Sequence, residues 1–285
     1  MKLQYLGTAA AEGAPALFCR CEFCQYARKT GGREIRTRSG ALLDDKIKLD
    51  FGPDSYKHML DNGLDFSAIH SVLITHTHED HFDIEDIALR RPTFAHLPEG
   101  EPPMTFYGNE RVGERLANVK SDWLAYKRVR PFETVDIEGY AVTPLEAVHC
   151  AARDGDKYPV VFEGKTVARA EEAMFYLIEK DGKRLLYAHD TDEFTPADME
   201  FLAGKRLDLV SLDCTNGRLD MSYIGHMGAT ENRRVREKLV SIGAADEKTV
   251  FVANHFSHNG LLPYDEMRAL LPGFLIAYDG MVVEF

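Results

Sequence analysis

Within six residues, His76, His78, Asp80 and His81 set three imidazoles and a carboxylate directly after the apolar run Val72-Leu73-Ile74. That run is short and reads as a buried strand from Ser71 to Thr75. On a continued strand the side chains would alternate between opposite faces. The four donors therefore converge only if the chain leaves the strand as a loop. Imidazole and carboxylate together suit zinc, manganese or iron, and four donors at this density argue for more than one ion. The fold must therefore supply a strand end to hold the loop and bring further ligands to it.

At 285 residues the chain can bury a large core, as one α/β domain or two smaller ones. Apolar residues make up 45% and charged residues 28%, which argues against disorder. A net charge of −12 disfavours nucleic-acid binding, since phosphate backbones need a basic footprint. It leaves room for a small phosphorylated substrate, because a bound metal reverses the local field. No run approaches the roughly 20 apolar residues of a membrane span, and the N-terminus lacks a signal-peptide pattern. A cytoplasmic enzyme without a membrane partner is expected. Of five cysteines, three form Cys19-x-Cys21-x-x-Cys24. Disulfides between such near neighbours are strained and seldom kept in the cytoplasm, so thiolate ligation of zinc is the better reading. Cys150 and Cys214 read as buried small apolar residues.

Other ligand-type residues follow at the ends of further strands. Lys2–Leu6, Gly40–Leu43 and Lys46–Leu49 read as strands, the last running into Asp50-Phe51-Gly52. The segment 9–39 between them has little periodicity, and the three cysteines are what would hold so long a loop. Pro53–Asn62 reads as a helix with Gly63 beyond its end. Asp83–Arg91 and Glu110–Lys120 are also helical, and Phe132–Leu145 gives two strands around Glu138-Gly139. The second of these delivers His149. Residues 151–172 carry dense mixed charge and read as a surface excursion, with Arg153 or Lys157 placed to meet substrate if it closes as a lid. A hairpin of Met174–Ile178 and Arg184–Tyr187 leads to Asp190, where a bridging carboxylate would sit. His226 lies just ahead of the helix Thr230–Ile242, where free N–H groups favour an anion such as phosphate. The strand Thr249–Ala253 ends in His255 and His258. His255 would complete the active site, and His258 would complete a Cys3His zinc site with Cys19, Cys21 and Cys24. His58, His70 and His96 have no such setting.

His76-x-His78-x-Asp80-His81, followed in order by His149, Asp190 and His255, resembles the metallo-β-lactamase superfamily of dinuclear hydrolases. The likeness runs from the opening strand and Gly7-Thr8 to Tyr278-Asp279-Gly280-Met281. The cysteine triplet, His226 and the His255-x-x-His258 pair resemble its PhnP-type branch, that of the phosphoribosyl 1,2-cyclic phosphate phosphodiesterases. The resemblance implies a four-layer αββα sandwich, an α/β (α+β) fold made of two similar halves. It would span 1–285 as one domain, with a zinc-binding loop at about 9–39 and a charged insertion at about 151–172. His76, His78 and His149 would then hold one ion, Asp80, His81 and His255 a second, and Asp190 would bridge them. Asp50 would orient a metal histidine, and His226 with Asp80 would serve catalysis. The cofactors implied are two divalent ions, manganese or zinc with iron or nickel also suited, plus one structural zinc. The reaction implied is hydrolysis of a small cyclic or simple phosphodiester through a metal-bridging hydroxide. A homodimer is compatible with the chain. His189 departs from the branch, since a small residue is expected before the bridging aspartate, and the charged insertion is longer than the branch needs. The rival readings are a tRNA 3′-processing-type nuclease, which the acidic balance disfavours, and a non-catalytic metal-binding accessory protein of the PqqB kind.

Overall fold

The computed structural model describes residues 1–149, 158–221 and 224–285. Among these, two seven-stranded sheets follow one plan. The first sets β1 (Lys2–Gly7), β2 (Gly40–Leu43), β3 (Ile47–Leu49), β4 (Ser71–Leu73), β5 (Met104–Gly108) and β6 (Leu124–Arg128) side by side in chain order. The chain then forms β7 (Val135–Ile137) and β8 (Tyr140–Glu146), and a separate hairpin of β9 (Val160–Phe162) and β10 (Lys165–Val167). The second sheet continues from β8 with β11 (Met174–Lys180), β12 (Lys183–Ala188), β13 (Leu209–Asp213), β14 (Val250–Asn254) and β15 (Leu275–Ile276). Finally β16 (Val282–Glu284) returns to pair with β1.

Strand direction repeats as well. The run β16-β1-β2-β3 is antiparallel and β3-β4-β5-β6 is parallel. Likewise β7-β8-β11-β12 is antiparallel and β12-β13-β14-β15 is parallel. Parallel neighbours need crossovers, which helices supply. After α1 (Glu22–Thr30), which lies between β1 and β2, the crossovers of the first sheet carry α2 (Ser55–Asn62), α3 (Ile84–Ile87) and α4 (Glu110–Leu116). Those of the second carry α5 (Pro196–Leu202), α6 (Ala229–Ser241) and α7 (Tyr264–Leu270).

Three apolar layers result. Leu3, Leu43, Leu49 and Leu73 meet Val142, Tyr176, Leu185 and Val252 between the sheets. Val72, Phe106, Val112 and Leu116 form an outer layer on one side, and Leu186, Leu212, Val235 and Met267 form one on the other. Burying each such side chain stabilises by roughly 1.5–3 kcal/mol, so the apolar layers rather than the polar edge hold the sandwich together. Helix, sheet, sheet and helix make the four-layer αββα arrangement of the metallo-β-lactamase fold.

Several local readings need correction. The segment taken as a loop around the cysteines contains α1, whose N-terminus is capped by Cys21 Sγ accepting from the Cys24 N–H. The helix expected over Asp83–Arg91 is only Ile84–Ile87, and β6 and α7 were not foreseen. The charged excursion is not simply solvated: beyond its hairpin, Arg169 and Glu171 are buried. Cys214 is buried as expected, whereas Cys150, Arg153 and Lys157 lie outside the described residues.

Candidate metal centre

Parallel strands gather their C-terminal ends along one edge, where such sheets place ligand sites. There β3 leads into Asp50, β4 into His76–His81, β12 into Asp190 and β14 into His255, while Asp213 closes β13. Asp50, Asp190 and His255 each turn through a left-handed backbone, with φ of 58°, 53° and 59°. Aspartate and histidine are among the residues that tolerate this conformation. The turn breaks the strand alternation and sends their side chains along the edge. Gly52 answers a problem of space instead. A Cβ there would lie 1.9 Å from the Asp80 carbonyl oxygen and push the histidine loop away.

Two groups of ligand atoms converge at this edge, and a third, of Asp190, Asp213, His226 and His255, adjoins them. His76 Nε2 lies 2.9 Å from His78 Nδ1 and 3.3 Å from Asp190 Oδ2, and His149 Nε2 lies 3.2 Å from His78 Nδ1. His81 Nε2 lies 3.2 Å from Asp80 Oδ2, 3.2 Å from His255 Nε2 and 2.9 Å from Asp190 Oδ2. Asp190 belongs to both groups. All residues of these two groups are buried except His78, which is exposed at the mouth. The mouth opens into a cavity of about 980 Å³ whose lining includes Thr77, His78, Asp80, Arg38, Arg111 and Arg115.

Proton positions follow from the groups behind the rings. His81 Nδ1 donates to Asp50 Oδ2 at 2.7 Å, and His149 Nδ1 to the Gly225 carbonyl at 3.1 Å. The single hydroxyl hydrogen of Thr75 goes to Asp50, so His76 Nδ1, 2.9 Å away, must donate to Thr75 Oγ1. By the same reasoning Thr215 gives its hydrogen to Asp213 or the His255 carbonyl, so His255 Nδ1 donates to Thr215 Oγ1 at 2.8 Å. In the neutral form that a metal requires, each ring is thus left with an Nε2 lone pair facing other lone pairs and the Asp190 carboxylate. Such an arrangement is repulsive unless a cation lies between the donors. This set of nitrogen and carboxylate donors, oriented from behind, fits divalent metal. Asp50→Asn tests that support. It preserves shape and left-handed tolerance but loses the charged acceptor, and it should weaken metal binding about 10–100-fold in chelator competition. Unchanged affinity would reduce Asp50 to a packing residue.

Asp213 was missed in the sequence. It accepts from the N–H groups of Asp190, Thr215 and Met227 and lies 3.2 Å from His226 Nδ1. His226 Nδ1 also lies 3.1 Å from Asp190 Oδ1. Burial alone would lower the His226 pKa, but Asp190 and Asp213 hold it well above its ordinary value. Burial likewise opposes ionisation of Asp190, and His255, His149, His226 and His81 overcome it and keep the carboxyl well below the usual range. Of the N–H groups beside His226, three are already used. The amides of Met227, Gly228 and Ala229 donate to Asp213, Glu231 and Gly217. An anion at this point would therefore meet the imidazole rather than those amides.

A second cluster sits on the N-terminal segment. The ligand atoms of Cys19, Cys21, Cys24 and His258 all lie within 4.8 Å of one another, with Cys21 Sγ 3.5 Å from His258 Nδ1. Three sulfurs accept backbone N–H groups: Cys24 from Ala16, Cys21 from Cys24 and Cys19 from Cys21. The Cys21 amide lowers the Cys19 pKa, toward the thiolate that metals require. His58, by contrast, is buried beside Thr37, away from both clusters.

A coenzyme PQQ synthesis protein B of Methylobacterium radiotolerans is 29% identical over 203 residues, covering 66% of this chain and 64% of that protein, which is less than two thirds of its length. A diphosphatase from the PhnP family superposes with a TM-score of 0.72 at 24% identity, over 100% of this chain and 96% of that one. Zinc-bound PqqB from Methylobacterium extorquens gives 0.72 at 20% identity over the whole of both chains. The short form of human tRNase Z gives 0.62 at 15% over 100% of this chain and 99% of that one. These three structures share the fold. Residues 47–278 match the model of the beta-lactamase superfamily domain, and the chain belongs to that family, built on the metallo-β-lactamase fold.

Proposed function

We propose that the protein hydrolyses a small cyclic or simple phosphodiester to a monoester. The observation that carries this reading is His226, which reaches the point where the two ligand groups share Asp190 while its Nδ1 is held by Asp190 and Asp213. In this reading His76, His78 and His149 would hold one ion and Asp80, His81 and His255 the other, with Asp190 available to both. When bound, two divalent ions lower the pKa of a water and neutralise charge on phosphate oxygens. Manganese or zinc suits these donors, and so do iron and nickel. With Nδ1 committed to carboxylates, His226 presents Nε2 as the nitrogen that gives a proton to the leaving oxygen. Asp213 keeps that ring oriented, as the carboxylate does in a catalytic triad. Cys19, Cys21, Cys24 and His258 hold a structural zinc in the same reading. The partner is a small phosphorylated substrate in the cytoplasm, with no nucleic acid or membrane required.

Turnover of bis-p-nitrophenyl phosphate by manganese- or zinc-loaded protein is the direct test. His226→Ala should lower kcat by about 10²–10⁴-fold while metal content stays at the wild-type level. Loss of metal in that variant would make His226 a ligand, and absence of turnover in fully loaded wild type would sink the hydrolytic reading. A second reading then gains ground, that of an accessory protein in cofactor synthesis, favoured by the match to the PQQ synthesis protein.

A further inference from the structure

The segment joining the β9–β10 hairpin to β11 touches both loops that carry ligands to the first group. Thr77 lies between His76 and His78, and all three of its polar groups are held. Its N–H donates to Glu171 Oε2 at 2.9 Å and its hydroxyl to Glu171 Oε1 at 2.8 Å, while its carbonyl accepts from Arg115 Nη1 at 2.6 Å. Glu171, only 4% exposed, also accepts from Asn109 Nδ2 at 2.9 Å. Two residues earlier, Arg169 is 2% exposed and donates to the carbonyls of Ala147 at 2.8 Å and Ala173 at 3.0 Å. Its Nε donates to the Tyr158 carbonyl at 3.0 Å. Ala147 stands two residues before His149.

We propose that residues 169–171 form a clamp that sets the spacing of the His78 and His149 ligand nitrogens, with Glu171 as a positioning residue. The inference rests on the reading of His76, His78 and His149 as ligands of one ion. A carboxylate suits the task because three donors converge on its two oxygens from two other elements. Glutamine offers one acceptor oxygen and would turn an NH2 group against a donor. Arg169 anchors the same segment to the second half of the fold, so a shift of the histidine loop against the His149 loop must first break these contacts.

The test uses the whole protein and zinc alone, with affinity measured by chelator competition and geometry by the visible absorption of the cobalt-loaded form. Glu171→Gln should weaken zinc binding about 10–100-fold and alter the cobalt spectrum. Thr77→Val should act in the same direction to a smaller degree, Thr77→Ser should behave as wild type, and Lys165→Ala on the exposed hairpin should change nothing. If Glu171→Gln and Thr77→Val lower Tm yet leave zinc affinity and cobalt spectrum as in wild type, the contacts are merely structural and the clamp is refuted. Should His149→Ala bind as much zinc as tightly as wild type, the ligand reading itself fails and takes the clamp with it.

Discussion

Asp190→Asn should strip metal from the edge of the sandwich and cut phosphodiester turnover by about 10³-fold or more, equivalent to ~4 kcal/mol of barrier. Asp190 Oδ2 stands 2.9 Å from His81 and 3.3 Å from His76, and Oδ1 stands 3.1 Å from His226. No other carboxylate belongs to both ligand groups. Asparagine matches aspartate in shape and tolerates the left-handed φ of 53° at this position, so the substitution removes charge without imposing strain. Elemental analysis and steady-state kinetics on the same preparation read the outcome. A variant that keeps three ions per chain, the structural zinc included, and wild-type turnover would show that Asp190 bridges nothing.

Cys24→Ser should release one zinc per chain and lower Tm by about 10 °C. Cys24 is buried, and burial pushes its thiol pKa up to about 12, so in the absence of metal this sulfur stays protonated at neutral pH. Binding must expel that proton, and zinc affinity at the cluster should therefore rise with pH. A filled site would tie the N-terminal segment to the chain end of β14, since Cys21 and His258 are 237 residues apart in sequence. Cross-links over long loops contribute roughly 2–5 kcal/mol, and each kcal/mol moves Tm by ~2–4 °C in a chain of this size. Calorimetry of wild type and variant, with zinc counted on each, decides the matter. Equal zinc content and equal Tm would leave the four side chains as ordinary packing.

Sequence reasoning reached the edge of the sheets more easily than the walls around it. The histidine loop, Asp190 and His255 follow apolar runs, and a run of buried residues ending in a ligand-type side chain is a local signal. α1 gave no such signal, because its N-terminus is capped by a cysteine that also faces the sulfur cluster, and a ligand and a cap look alike in a one-dimensional reading. β6 is only partly buried and carries Tyr126-Lys127-Arg128, so its pattern resembles an exposed connection. Asp213 had a usable signal that was passed over: it closes a parallel strand, as Asp50 and Asp190 do. Glu171 had none. Its partner Thr77 is 94 residues away, and a glutamate in a charged stretch reads as solvated until the fold buries it.

The two sheets share a strand plan, and that plan makes the same corner twice. Asp50 follows β3 and Asp190 follows β12, the strands at which each sheet changes from antiparallel to parallel, and both turn through the same left-handed bend. Yet Asp50 faces the back of a histidine, and Asp190 faces the ligand groups. One backbone bend thus serves two trades: at the first corner the carboxylate braces a ring from behind, and at the second it stands among the ligands themselves.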